Sequence, residues 1–167
     1  MNKLKIAFII LLGIIFFSAC EKDDICVAGD TPLLVIRFYD ETDTTSTKNV
    51  TNLRVVGLDQ TTTVNTFSDR SSADSLAVPL RPGTTNTTYL LIANSADEDE
   101  VEIGNTDILT FNHETKEVFI SRACGFIANY ENLTPSLDTD TDNWIKNIEV
   151  ISSTVENSES AHVKIYH

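Results

Sequence analysis

Basic residues are scarce. The 167-residue chain carries 12 Lys and Arg against 25 Asp and Glu, a formal net charge of −13. That balance argues against nucleic acid as a partner and against docking of the protein surface itself on anionic lipid, since both reward Lys and Arg. Cysteine is limited to Cys20, Cys26 and Cys124, and histidine to His113, His162 and His167. Cys26 and Cys124 lie too far apart in sequence, and the histidines are too scattered, for the ligand spacing of a zinc site. No Gly-rich phosphate loop, His-Glu-x-x-His pair or Gly-x-Ser-x-Gly elbow occurs. No window holds an apolar stripe of period 3.6 over three turns, which argues against a helical domain. The longest apolar run, Ile6 to Phe17, is far short of the ~20 residues that cross a bilayer as a helix.

That run instead has the form of a secretory h-region. Lys3 and Lys5 precede it and the small residues Ser18 and Ala19 follow, then Cys20. Phe17-Ser18-Ala19-Cys20 resembles a bacterial lipobox, with Phe17 standing where Leu is usual. The resemblance implies that the Cys20 sulfur receives a diacylglyceryl group. It also implies that a peptidase cuts before Cys20 and that the new amine takes a further acyl chain such as palmitate. Two or three such chains make a stable anchor, at ~0.8 kcal/mol per buried methylene. Glu21-Lys22-Asp23-Asp24 resembles the Lys-acid-acid tag that sends Bacteroidota lipoproteins to the outer face of the outer membrane. A solvated charged tether is the plainer reading of the same four residues.

Together with Ile25-Cys26 and Cys124-Gly125-Phe126, these marks make the chain resemble the small surface lipoproteins of Bacteroidota grouped as a family of unknown function. The expected organisation is a signal peptide over residues 1–19, a lipidated tether over 20–30 and one domain over 31–167. Removing residues 1–19 takes Lys3 and Lys5 with it, so the mature charge becomes about −15. With Cys20 assigned to lipid, Cys26 and Cys124 remain. Export to an oxidising compartment favours a disulfide between them; the alternative is two buried free thiols acting as small hydrophobes.

From Asp30 onward the pattern is one of short strands. Leu33 to Tyr39 is an extended apolar run, followed by a Thr- and Asp-rich loop over 41–49. Leu53, Val55 and Gly57 mark a second strand. Val64 and Phe67 are possible packing points in a polar stretch. Leu76 to Leu80 contains Pro79 and belongs on an edge, and Arg81-Pro82-Gly83 is a turn. Thr87 to Ala93 reads as a central strand, and Asp97 to Glu100 as a charged tip before Val101 and Ile103. Segments 108–111 and 117–121 predict a hairpin whose turn is Asn112 to Lys116, with His113 in that turn. Cys124 to Tyr130, Trp144 to Ile151 and His162 to Tyr166 complete the set, with Val163 and Ile165 on one face. The fold expected is all-β, an antiparallel β-sandwich, immunoglobulin-like or related, with a β-barrel as the alternative.

Candidate sites are few. Asp138, Asp140 and Asp142 alternate as the acids of a calcium loop do, and Glu149 falls at the twelfth place. Asn143 stands where such a loop has glycine and a strand pattern follows, so a solvated acidic turn is the plainer reading and no metal or cofactor is assigned. Asp43-Thr44-Thr45 and Asp74-Ser75-Leu76 resemble the short O-glycan acceptor sites of exported Bacteroidota proteins; otherwise they are polar loop residues. Phe38, Tyr89, Phe119, Phe126, Tyr130 and Trp144 are assigned to the core, each able to bury ~150–250 Å². Tyr39 or Tyr166 exposed beside Trp144 would make a glycan-stacking patch.

The expected function is that of a lipid-anchored envelope lipoprotein on the surface of a bacterial outer membrane. It would be a non-catalytic binding or accessory module for an envelope protein or a glycan. A structural subunit of an outer-membrane assembly is the alternative. An enzyme would need a concave site with converging polar groups.

Overall fold

The structure is a computed structural model and describes Cys26, residues 29–99 and residues 101–167. Residues 1–19, expected to be a signal peptide, Cys20 and the tag-like Glu21–Asp24 lie outside the described residues. Eleven strands occur among those described: β1 (Leu34–Tyr39), β2 (Val50–Gly57), β3 (Ser71–Ala73), β4 (Ser75–Val78), β5 (Asn86–Ala93), β6 (Asp97–Glu98), β7 (Val101–Glu102), β8 (Asn105–Ser121), β9 (Gly125–Leu137), β10 (Asn147–Val150) and β11 (Val163–Tyr166).

They form a four-stranded sheet ordered β10-β11-β1-β4, a five-stranded sheet ordered β3-β2-β5-β8-β9, and a small β6-β7 ribbon. Neither large sheet closes into a barrel; the fold is the expected sandwich-like one. β4, which leads into Pro79, is an edge strand, and β5 is central. The alternation read in the sequence sets the inward faces. Leu34, Ile36 and Phe38 of β1, Leu76 and Val78 of β4, and Val163 and Ile165 of β11 share one core cluster with Leu53, Val55, Tyr89, Leu91, Leu109 and Phe111 of the other sheet. Each fully buried aliphatic or Phe side chain contributes roughly 1.5–3 kcal/mol. In β2 the register shifts between Val50 and Leu53, and Asn52 takes φ +44°; this bulge lets Val50 and Leu53 both face inward despite their odd spacing. Val64 and Phe67 pack against the core from the polar stretch.

Three features depart from the sequence reading. First, β1 and β11 pair in parallel, Ile36 opposite Val163 and Phe38 opposite Ile165, so the four-stranded sheet is mixed. Second, Trp144 and Ile145 precede the strand expected to contain them. β10 starts at Asn147, and the buried Asp107 carboxylate accepts the Ile145 N–H at 2.8 Å. Third, no turn occurs at Asn112 to Lys116. β8 runs through it for 17 residues and turns back only after Ser121. β5 accompanies β8 as far as Asn112; from Glu114 to Ser121 the ladder continues with β9 alone. The result is a two-stranded arm, about 25 Å long at ~3.4 Å per residue.

The β9 edge is covered along part of its length. Tyr130 and Val155 exchange backbone hydrogen bonds, the Leu133 N–H donates to the Ser153 carbonyl, and the Ala128 N–H donates to Thr31 Oγ1 at 3.2 Å. Such cover blunts an edge that would otherwise present free backbone groups.

Candidate functional site

The arm ends in a turn over Arg122 to Cys124, where Gly125 takes φ +71°, a conformation costly to any residue with a Cβ. Cys124 is disulfide-bonded to Cys26, with Cα atoms 4.9 Å apart, as the cysteine count predicted. Gly29 lies against this bridge; a Cβ on it would come within 2.8 Å of the Cys26 sulfur and 2.9 Å of Cys124 Cβ. The segment leading into β1 is therefore packed tightly against the arm's end.

Around that end the apolar side chains face outward. Phe119 and Phe126, opposite each other in the ladder, pair edge to face at 5.3 Å between centroids, yet are 55% and 66% exposed. Ile120 is exposed as well. The assignment of Phe119 and Phe126 to the core is thus corrected: among the described residues, β8 beyond Asn112 pairs with β9 alone and no second sheet covers the two rings. Phe38, Tyr89 and Tyr130 are buried as expected, and Trp144 is half-buried against the core. One sequence signal marks the exposed pair. Between Glu117 and Glu131 the chain has no acidic residue and one base, Arg122, in a protein of net charge −13.

The other candidates come together less well. Asp140 accepts the Asp142 N–H at 3.0 Å, while Asn143 donates to the Asp138 carbonyl at 3.0 Å and accepts the Asp140 N–H at 2.8 Å. The loop is closed by its own hydrogen bonds. Among the described residues no group of three or more His, Cys, Asp or Glu side chains is arranged to hold a metal ion. Asp43 accepts from the Thr45 and Ser46 hydroxyls in an exposed turn, and Asp74 pairs with Arg37 at 3.7 Å beside the exposed Ser75.

The glycan-stacking geometry does not form. Tyr166 is buried and its hydroxyl donates to Glu149 at 2.6 Å, while Tyr39 stacks on Tyr166 at 5.9 Å under Lys164. Trp144 packs against Phe38 and His167, and its indole N–H donates to the Leu91 carbonyl at 3.1 Å.

His113 sits in a strand and not in a turn. It is buried at the bulge where β8 parts from β5, edge-on to Tyr130 at 5.0 Å, with Nε2 3.0 Å from Thr87 Oγ1. The resemblance to a base-nucleophile pair goes no further. Both side chains are buried, and Thr87 Oγ1 also accepts the Arg81 N–H at 2.9 Å. Burial lowers the His113 pKa and keeps the ring neutral. His162 Nδ1 accepts the Val35 N–H at 3.1 Å, tying β11 to β1, and burial lowers its pKa too.

A charged cluster lies at the β6-β7 ribbon. Glu102 accepts from Arg54 at 3.2 Å, Arg70 at 3.4 Å, Ser95 Oγ at 2.8 Å and the Ala96 and Gly104 N–H groups at 3.1 and 3.0 Å. Desolvation pushes its carboxyl pKa up, but the bonds from Gly104, Ser95, Ala96 and Arg54 outweigh this and hold it at about 2. The carboxylate is held by five donors of the protein itself, so the cluster reads as the clasp of the ribbon.

The molecule is thus an all-β sandwich-like protein whose most exposed apolar aromatics, among the described residues, lie at a disulfide-pinned arm. It belongs to a family of unknown function, DUF6452, whose model matches residues 52–167, from β2 to the end of the chain. No curated protein and no solved structure matches it.

Proposed function

We propose that this chain is a bacterial envelope lipoprotein of the Bacteroidota type, anchored through lipid on Cys20. It would be exposed on the outer membrane and work as a non-catalytic binding or accessory module. The observation that supports this best is the Cys26–Cys124 disulfide. Such a bond persists in oxidising compartments outside the cytoplasm. It sets Cys20, at the end of the lipobox-like Phe17–Cys20, apart as the third cysteine, outside the bridge. The acid surplus argues against a nucleic-acid binder. The exposed Phe119–Phe126 pair supplies the apolar surface that contact sites commonly carry.

Mass spectrometry of the protein from its native membrane tests the reading. The expected chain begins at Cys20 and carries the mass of a diacylglyceryl group and an added acyl chain. An intact Met1, or an unmodified Cys20, overturns it. A pull-down from intact cells, with Cys20→Ala as control, then identifies what the anchored module holds.

A further inference from the structure

We infer that the end of the β8–β9 arm is a membrane-contact foot. Phe119 and Phe126 rest in the interfacial region of the same lipid surface that carries the anchor. This inference rests on the lipid anchor proposed above for Cys20.

Chain length supplies the first argument. Cys20 and Cys26 are six residues apart, and six extended residues span at most about 20 Å. Cys26 is bonded to Cys124, and Phe126 is two residues beyond it. A lipid on Cys20 therefore keeps the arm's end within a short tether of the bilayer, whatever the rest of the domain does. The bridge makes this constraint covalent.

Charge supplies the second. An acidic protein is repelled by anionic headgroups, so a contact surface must exclude carboxylates. Phe119 and Phe126 lie in a stretch, between Glu117 and Glu131, that holds no acid and carries Arg122 at the turn, whereas Ile120 shares a surface hollow with Asp30 and Glu156 and stays outside the contact. Two other exposed apolar residues differ here: Val101 and Ile103 follow the acidic stretch Asp97-Glu98-Asp99-Glu100. Exposure supplies the third. Phe119 and Phe126 sit edge to face with their outer surfaces in solvent. Apolar rings next to a cation suit the boundary between headgroups and acyl chains.

The experiment uses the full lipidated chain in vesicles of phosphatidylethanolamine and phosphatidylglycerol, with and without lipids brominated near the headgroup. Phe126→Trp places a fluorophore at the foot; the native Trp144, packed against the core, is the internal reference. The expected result is a blue-shifted added emission, quenched about twofold more by bromolipid than that of the unsubstituted protein. Adding Phe119→Asp, at an exposed position that leaves the core intact, is expected to abolish the difference.

Equal quenching of Phe126→Trp and unsubstituted protein, with Cys20 shown by mass to carry lipid, overturns the foot and leaves the anchor standing. Protection of the added fluorophore only in native membranes, and not in pure lipid, overturns it in favour of a protein partner. An unlipidated Cys20 removes both.

Discussion

Tyr89 and Tyr130, from different strands of one sheet, donate their hydroxyls to consecutive carbonyls, those of Pro79 and Leu80. They clamp the connection leaving the edge strand β4, bridging it to the second sheet. Burial pushes the Tyr89 pKa up to about 12 and raises that of Tyr130, so both remain protonated donors over the working pH range. Tyr130 is fully buried and its bond is 2.8 Å. Tyr130→Phe removes the donor and leaves the Leu80 carbonyl without it, at a cost of ~1–3 kcal/mol. The expected readout is a lower urea midpoint with an unchanged slope. A midpoint within error of the parent would show that the clamp contributes nothing to stability.

The disulfide has a smaller expected effect than its span suggests. Closing 98 residues of chain is worth up to about 4.7 kcal/mol in the chain-entropy model. That figure applies where breaking the bond releases the whole loop in the unfolded state and costs the folded state nothing. Here the bond joins the arm's end to the segment before β1, not two core strands, so the native state can fray locally when it is cut. Reduction is expected to lower stability by about 2 kcal/mol, at the low end of the usual range. It should also open the segment around Gly29 to protease before global unfolding. Limited proteolysis with and without reductant would detect it. Unfolding of the whole domain on reduction would contradict this view.

The core was legible in the sequence because alternation and burial agree. Leu34, Ile36 and Phe38 read as one face, as do Val163 and Ile165, and all are buried. The arm was not legible because the rule fails there. Once β8 leaves β5, selection for an apolar face lapses, and Glu114, Lys116 and Glu117 look like turn residues. They are strand residues on a solvated ribbon, Lys116 pairing with Glu131 across the ladder at 2.6 Å. Gly125, two residues past the true turn's centre, was the better signal. The exposed Phe pair could not be told from core by residue type. The parallel meeting of β1 and β11 joins chain ends that no local pattern links.

Acid should weaken the fold in two stages, with signs that follow from proton counts. His113, His162 and His167 each have a lowered pKa caused first by burial. Below ~6.5 the unfolded chain therefore binds protons that the folded one refuses, and stability falls as pH drops. Glu102 has a folded pKa of about 2 against an ordinary 4.5. Its stabilisation is complete above the unfolded value and is lost as pH falls through about 4.5 toward 2; the span is worth on the order of 3 kcal/mol. Asp107 acts in the opposite sense. Burial raises its pKa, so its ionised form is tolerated less well folded than unfolded. Hydrogen bonds from Thr42 and from Ser46 also lower the pKa of Asp40 and of Asp43, so Glu102→Gln is expected to shrink the lower limb without removing it, while leaving the decline near 6.5 in place. Denaturant midpoints measured from pH 8 to pH 3 separate the two; a single limb unchanged by Glu102→Gln would refute the assignment.

Gly104 offers a test of the same clasp through sterics. A Cβ there would lie 2.6 Å from Ile92 Cγ2, 2.8 Å from the Ser95 Cα and 2.9 Å from the Ala93 carbonyl oxygen. Two of those three neighbours are backbone, which cannot swing aside as a flexible side chain does. Gly104 also donates its N–H to Glu102, so any backbone retreat lengthens a bond that holds the carboxylate ionised. Gly104→Ala should therefore cost about 1–3 kcal/mol and should raise the Glu102 pKa at the same time. Glu102→Gln, by contrast, removes the charge without moving the backbone. Carboxyl titration by NMR reads the coupling directly. A destabilised Gly104→Ala with an unmoved Glu102 titration would mean that the strain is absorbed on the Ile92 side, and that the ribbon and its carboxylate are independent.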